Sequence, residues 1–568
     1  MNLLHLVQQR FHTALAGMVP DPTPYSALVK PAQDPKFGDY QFNGAMSLAK
    51  ALSIKNPRDV AQQVVDRLPK DDLFEKVEIA GPGFINVRLR TEWLALQMQQ
   101  IARGDRLGVE PVATPRTLVI DFSSPNVAKP MHVGHLRSTI IGDSLTRLLR
   151  FLGHKVVADN HLGDWGTQFG MLIYGYKHFR NDAALAADPV REMVRIYVLV
   201  RKLIDPIEKI EEAEKKARRK AKKEKGSKSP VSEADTEKPV FTEDELAKAR
   251  SVRQAAREET AKLHRGDPEN LELWRKFMPW CMKEIEPVYQ CLDVKFDHSL
   301  GESFYNPMLP AVVQELLDRG IAQESQGAVV IPTTASEEEE DTDEPPSLIR
   351  KRDGAFTYTT TDLATIRYRM EEWKPDGLLY VVGLPQALHF KSLFDAARRW
   401  GYDRVDFQHI GFGAVLGQDR KMFGTRKGDP VELERLLDEA VRHAATTYEN
   451  LCKERHERGQ EVPKLSEQEL AQVHEAVGYG AVKYADLSQN RESDYVFSWE
   501  KMLATEGNTA TYMQYAYARN RSIFRKGDED PTPFRTQPPP VYLQQPQERA
   551  LALHLARLEE TLVAAAAD

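Results

Sequence analysis

A chain of 568 residues exceeds what one hydrophobic core organises, so several domains are expected. With 41% hydrophobic and 28% charged residues it has the balance of a globular protein, and no apolar run is long enough for a membrane helix. The net charge of −7 excludes blanket nucleic-acid binding but leaves room for a local basic face, and three cysteines without a Cys-x-x-Cys pair exclude a disulfide framework and a thiolate zinc site.

In chain order, MNLLHLVQQRFHTALAGMVPDPTP reads as an amphipathic helix ending before Pro20, without the basic start, long apolar stretch and cleavage site of a secretory leader. The cysteine usage suits a reducing cytoplasm, which is the expected location. Helical patterning continues through MSLAKALSIKNPRDVAQQVVDRL, and strand-like FINVRLR follows the turn Gly81-Pro82-Gly83. Residues 1–110 are therefore expected to form a small α/β unit. After the linker EPVATPR comes TLVIDF, a continuous apolar run of the kind found in strands buried on both faces. The polar loop SSPNVAKPM leads into a helix with Leu136, Ile140, Leu145, Leu148, Leu149 and Leu152 at helical spacing, and Gly153 is placed to end it. Strand-like HKVVADN follows at once. Strand, loop, helix and strand make a βαβ crossover, so residues 111–505 are assigned a Rossmann-type, doubly wound parallel sheet of the α/β class.

A helical insertion near 190–300 interrupts that sheet. Its segment IEKIEEAEKKARRKAKKEKGSKSPVSEADTEKP, near 205–240, reads as a solvated helix running into a disordered loop, with a lysine-rich arm on RNA phosphates as the alternative. Thr242-Glu-Asp-Glu245 offers a capping box for the next helix. The acidic run ASEEEEDTDEPPS, near 334–347, repels itself and reads as a surface loop. Strand-like GAFTYTT, GLLYVVG and FQHIGFG then alternate with helical DLATIRYRMEEW and KSLFDAARRW, giving the second half of the sheet. Residues 506–568 read as helices separated by a proline-rich linker, the opening of a helical domain whose final VAAAAD leaves a core incomplete. A fragment of a longer chain is the expected explanation.

The residues that carry chemistry are concentrated in KPMHVGHLRST, where His132 and His135 flank Gly134. Histidines at this spacing can hold a metal, but a zinc site needs a third protein ligand, and no His-Glu-x-x-His pattern surrounds the pair. The other reading is phosphate binding. The glycine lets a flat ligand approach the backbone, the helix start presents free N–H groups, two imidazoles can donate, and Lys129 adds a charge. That combination stands at the carboxyl end of the first parallel strand, where open α/β sheets bind ligands.

The run SSPNVAKPMHVGHLRSTIIGDSL, followed by NHLGDWGTQFG, closely resembles arginyl-tRNA synthetases, class I enzymes with a Rossmann catalytic domain. KFGDYQFNGAMSLAK, GPGFINV, FTYTTTDLA, LPQALHF, GAVLGQDRKMFGTRKGDP and NTATYMQYAYAR agree in the same order. The resemblance implies an arginine–tRNA ligase that makes arginyl-adenylate from ATP and L-arginine, then transfers arginine to the 3′ end of tRNA(Arg). ATP with Mg2+ enters as substrate, no zinc or other resident metal is implied, and a monomer is expected. A catalytically inactive, synthetase-like RNA-binding or assembly module is the alternative.

The resemblance also implies roles. His132, Gly134 and His135 match the nucleotide motif, with Lys421, Met422 and Arg426 in the lysine-rich ATP-binding loop. That loop, Lys421-Met-Phe-Gly-Thr-Arg-Lys427, carries Gly424 where relatives often have a second lysine, and Lys129 is the expected replacement, with Arg426 and Lys427 as other candidates. Catalysis is assigned to His132, His135, Lys129 and Lys421. For arginine the matched residues are Asp121, Ser124, Asn126, His135, Tyr358, Asp362 and Gln386. Taken alone, Asp362 reads as a helix N-cap, Tyr358 as a strand residue and Gln386 as a loop amide. Phe37, Asp39, Tyr40 and Asn43 match an N-terminal domain that contacts the tRNA elbow, with domain packing as the competing reading for Phe37 and Tyr40.

Overall fold

The computed structural model describes residues 2–224, 241–332, 346–420, 432–462 and 464–567. The chain divides into two compact units, one of Met1–Pro115, Arg147–Lys155 and Tyr517–Asp568, the other of Arg116–Thr146 and Val156–Ala516. Among the described residues no helix is long and apolar enough to cross a membrane.

The first unit is built on an antiparallel sheet of β1 (Val29–Pro31), β2 (Tyr40–Phe42), β3 (Phe74–Ala80) and β4 (Phe84–Leu89), in the order β1-β2-β4-β3. The helix Leu3–Leu15 supplies Leu3, Val7, Phe11 and Leu15 from one face to its core. Where the sequence suggested one continuous helical stretch there are two helices, Ala45–Ala51 and Pro57–Arg67, because Asn56 caps the second and Pro57 opens it.

Ala552, Leu553 and Ala556 of the helix Pro546–Ala556 lie in this same core. Residues 517–568, which the sequence reading assigns to a C-terminal helical domain, fall in the same compact unit as the N-terminal residues. Polar contacts explain the specificity. Arg549 clasps the buried Asp39 carboxylate with two hydrogen bonds, of 3.0 and 2.7 Å, and Asp39 also accepts from the Leu89 N–H at 2.8 Å. Tyr40 is fully buried, its hydroxyl donates to Glu560 at 2.9 Å, and the Arg557 guanidinium lies 4.6 Å from its ring centre. Asp39 and Tyr40 are therefore engaged inside the unit, which for Tyr40 is the packing reading. Phe37 is 38% exposed, and Asn43 keeps a buried, unpartnered side-chain oxygen. Replacing Arg549 by methionine strips the Asp39 carboxylate of its charged partner and is expected to cost about 2 kcal/mol. Urea unfolding of the full chain checks this, with a midpoint unchanged from wild type as the contrary result.

The second unit carries β5 (Thr117–Asp121), β6 (Lys155–Leu162) and β7 (His298–Gly301), with β8 (Gln323–Ser325), β9 (Ala328–Ile331) and β10 (Ser347–Arg350) forming a separate small antiparallel sheet. With β11 (Gly377–Tyr380) and β12 (Asp406–His409) the main sheet is five-stranded, in the order β12-β11-β5-β6-β7. The pairings β12/β11, β11/β5 and β6/β7 are parallel. The chain proceeds from β5 to one edge and returns on the other side at β11, so the strand order reverses between β5 and β11. At their carboxyl ends lies the crevice where such sheets take ligands. The long helix Pro189–Glu224 and the helices Glu243–His264 and Pro268–Cys291 form the insertion, and Thr242 and Glu245 make the expected capping box. GAFTYTT is not a strand: the helix Tyr358–Glu372 begins inside it, with Thr357 as N-cap, so Tyr358 opens a helix and Asp362 lies past its cap.

Candidate active site

Directly after β5 the chain turns sharply, with Ser123 at φ 70° and Ser124 at φ 46°. Two adjacent non-glycine residues in the left-handed region cost about 1–3 kcal/mol each and persist only where neighbours enforce them. Here the Ser123 N–H donates to Ser138 Oγ at 2.9 Å, the Ser123 hydroxyl meets Tyr289 at 2.8 Å, and the Ser124 N–H donates to Asn160 at 3.1 Å. The Ser138 hydroxyl also donates to the Val381 carbonyl beyond β11 at 2.6 Å, which joins both sides of the switch point. Asn126 then bridges Gly163, where a Cβ would stand 3.2 Å from the Asn126 Cα.

His132 caps the turn Val133–His135 that starts the helix Leu136–Phe151. The Gly134 N–H donates to His132 Nδ1 and the His132 N–H to His135 Nδ1, both at 3.1 Å, and the rings lie 4.0 Å apart. Because each Nδ1 accepts, each neutral ring carries its proton on Nε2, a donor that can be offered to a ligand. Burial and then the Lys129 charge push His132 down to about 4. Burial, His132 and Lys129 push His135 down to about 3. Lys129 is half-buried, and burial together with Arg201 lowers it in turn. Its charge is felt at both imidazoles.

A pH expectation follows. Both folded-state values lie below the ordinary imidazole value, so between about pH 4 and 6.5 the unfolded chain holds protons that the folded chain does not, and stability rises with pH across that window. Above it the rings stay neutral donors. Nitrogen shifts of 15N-labelled histidine are expected to show both as Nε2–H tautomers at about pH 6, and a titration of either ring near its ordinary value would contradict the arrangement.

On the β11 side, Asp362 Oδ2 pairs with His389 Nε2 at 2.7 Å, and Tyr358, 68% exposed, sets its ring edge-on to His389 at 5.0 Å. Gln386 ends the exposed turn Leu384–Gln386 after β11. Asp121, expected as a second acidic contact for arginine, is held by the protein itself. Its carboxylate accepts from the fully buried Arg369 at 2.6 Å and from the Ser124 hydroxyl at 2.8 Å, while Arg369 also grips buried Asp159 at 2.7 Å. Burial raises Asp121, but the Arg369 and His161 charges, with the hydrogen bonds from Arg369 and Ser124, together hold the carboxyl below its usual range. Asp121 thus sets the Ser124 hydroxyl rather than offering a free charge. Glu302, at the carboxyl end of β7, was missed in the sequence. Burial raises its carboxyl, with Asp164 and Asp362 adding to the shift and His161 opposing it. A carboxylate directly after a strand end was the available signal, hidden by a short strand beside a long insertion.

Lys421, Met422, Gly424, Arg426 and Lys427 lie outside the described residues, as do the stretches 225–240 and 333–345. Among the described residues no group of three or more histidines, cysteines or carboxylates is placed to hold a metal.

Three family profiles match the chain: "tRNA synthetases class I (R), catalytic domain" over residues 97–499, "Arginyl tRNA synthetase N terminal domain" over 5–89 and "DALR anticodon binding domain" over 513–568. An arginine–tRNA ligase of Rhodopirellula baltica is 44% identical over 99% of this chain and 90% of its own length. One of Chromobacterium violaceum is 41% identical over 99% and 88%. Among solved structures, an arginyl-tRNA synthetase of Plasmodium falciparum matches with TM-score 0.75 and 26% identity, covering 98% of this chain and 87% of that one. The Thermus thermophilus arginyl-tRNA synthetase shares the fold, with TM-score 0.72 and 23% identity over 99% and 88%.

Proposed function

The chain belongs to the arginyl-tRNA synthetase family and is a ligase of that family, and from this premise we propose how its own residues divide the work. The arginine carboxylate attacks the ATP α-phosphate in line, forming the mixed anhydride, and pyrophosphate leaves with the electron pair of the broken P–O bond. The tRNA 3′ hydroxyl then attacks the activated carbonyl and AMP departs. His132 and His135 donate their Nε2–H groups to phosphoryl oxygens as charge moves toward pyrophosphate, and Lys129 supplies the fixed positive charge beside them. Lys421, Met422 and Arg426 are proposed to complete the nucleotide contacts, with ATP entering as its magnesium complex.

Asp362 and Glu302 are proposed to share the guanidinium, because two carboxylates in a partly desolvated pocket match its planar fork of donors. His389 holds Asp362 until substrate arrives. Ser124, Asn126 and Gln386 are proposed for the α-amino and carboxyl end, with Ser124 aimed by Asp121. For tRNA, Phe37 is the exposed candidate in the N-terminal residues, and residues from 513 onward, matched by the anticodon-binding profile, are proposed to meet the anticodon stem. The cytoplasm, where tRNA, ATP and arginine meet, is the proposed location, and a monomer the proposed form.

The observation that carries this reading is the neutral histidine pair and the Asp362–His389 pair on opposite sides of one switch point. No observation favours the inactive alternative. Charging of tRNA(Arg) transcript with each amino acid in turn tests the function: arginine alone is expected to accumulate on the 3′ end, and stable charging with another amino acid would overturn it.

A further inference from the structure

Arg137 follows the histidine motif by two residues, yet its guanidinium does not face the crevice. It is 1% exposed and bonds elsewhere in the second unit. Its Nε donates to Asp486 at 3.0 Å, and one terminal nitrogen donates to the Gly413 carbonyl at 2.8 Å and the Ser493 carbonyl at 3.0 Å. Phe412 and Tyr495 lie against it, with ring centres 5.8 and 5.2 Å from the guanidinium carbon. Asp486 is itself 2% exposed, and burial pushes its carboxyl up to about 6 despite the Arg137 charge. A buried pair of this kind adds little net stability over apolar packing, so a charge in this place calls for another reason than stability.

The partners supply one. Gly413 and Ser493 begin the two segments that run into β13 (Val415–Leu416) and β14 (Tyr495–Val496), a short parallel pair. The segments touch so closely that a Cβ on Gly413 would stand 2.5 Å from the Ser493 carbonyl. The Gly413 N–H donates to Arg491 at 3.0 Å and the Ala414 N–H to the Asp494 carboxylate at 2.6 Å. In sequence β13 leads to Lys421. Beyond that stretch the chain is fastened to the same motif, since the Leu433 N–H donates to the Met131 carbonyl at 2.8 Å and Glu432 bridges His132. The segment bearing Lys421 therefore departs from residues clamped by Arg137 and returns to residues hooked on His132.

We propose that Arg137 is a positioning residue for amino-acid activation: it fixes β13, the departure point of the Lys421 segment, in register with the helix that begins beside His135. The guanidinium holds the acid through Nε and both carbonyls through one terminal nitrogen, two separate atoms that a single ammonium cannot replace at once, so lysine at this position loses at least one of these contacts. The inference rests on the function proposed above, and the experiment separates the two failures.

Arginine-dependent pyrophosphate exchange is compared for the full chain carrying Arg137→Lys, Arg137→Met or Asp486→Asn, each alone and combined with Lys421→Ala. Arg137→Met is expected to lower kcat about a hundred-fold while the KM values for ATP and arginine move less than about three-fold. Arg137→Lys is expected to recover little. In the Lys421→Ala background the effect of Arg137→Met is expected to shrink to about two-fold, because both changes remove the same alignment. Effects that multiply independently, or wild-type kcat in both Arg137→Lys and Asp486→Asn, would overturn the proposal. Should Arg137→Met fail to fold, Asp486→Asn carries the same comparison. Absence of exchange in the wild-type chain would instead defeat the functional reading itself.

Discussion

Replacing His135 by alanine is expected to lower the rate of arginine activation about a thousand-fold while changing the KM for ATP little. The charge that this ring meets develops as pyrophosphate leaves, so its Nε2–H is worth more in the transition state than in the ground state. Its neutral state at working pH means that it acts as a hydrogen-bond donor rather than a cation. His135→Gln places an amide nitrogen near the Nε2 position and is expected to recover part of the rate. Pyrophosphate exchange at saturating arginine checks both variants, and a wild-type rate in the alanine variant would remove His135 from the chemistry.

Replacing Asp362 by alanine is expected to weaken arginine binding by about 3 kcal/mol, roughly 150-fold, because a guanidinium brought into the pocket would lose a charged partner it cannot replace with water. ATP binding is expected to stay within about three-fold, since the nucleotide contacts lie across the switch point. Arginine and ATP KM values from the same exchange assay separate these effects. An equal loss for both substrates would show that Asp362 supports the fold of the crevice rather than reading the guanidinium.

The parts legible in the sequence were those fixed by local chemistry. TLVIDF announced a buried strand because an apolar run bounded by turn residues has few other uses, and Gly153, at φ 98°, ends its helix as a residue without a Cβ can. The histidine motif was likewise legible, since its glycine and two imidazoles sit within one turn. What stayed hidden depended on distant partners. Asp121 looked free, but its charge is answered by Arg369, 248 residues away. Asp39 read as an RNA contact and Tyr40 as either that or packing, and their partners Arg549 and Arg557 stand 510 and 517 residues further on. Neither pairing leaves a periodic trace. Tyr358 was misread for a local reason: a run of threonines and aromatics has strand propensity, and only the capping by Thr357 turns it into a helix start. Asp362 with His389, and Arg137 with Asp486, likewise became pairs only when the sheet brought their helices together.

The central claim is that this crevice activates arginine by reading its positive charge. Pyrophosphate exchange with arginine against citrulline, measured with and without tRNA(Arg), tests it most directly, because citrulline keeps the shape and replaces the guanidinium with a neutral group. Exchange is expected with arginine, at a rate at least about a thousand-fold above that with citrulline. Comparable exchange with both, or none with arginine under either condition, would contradict it.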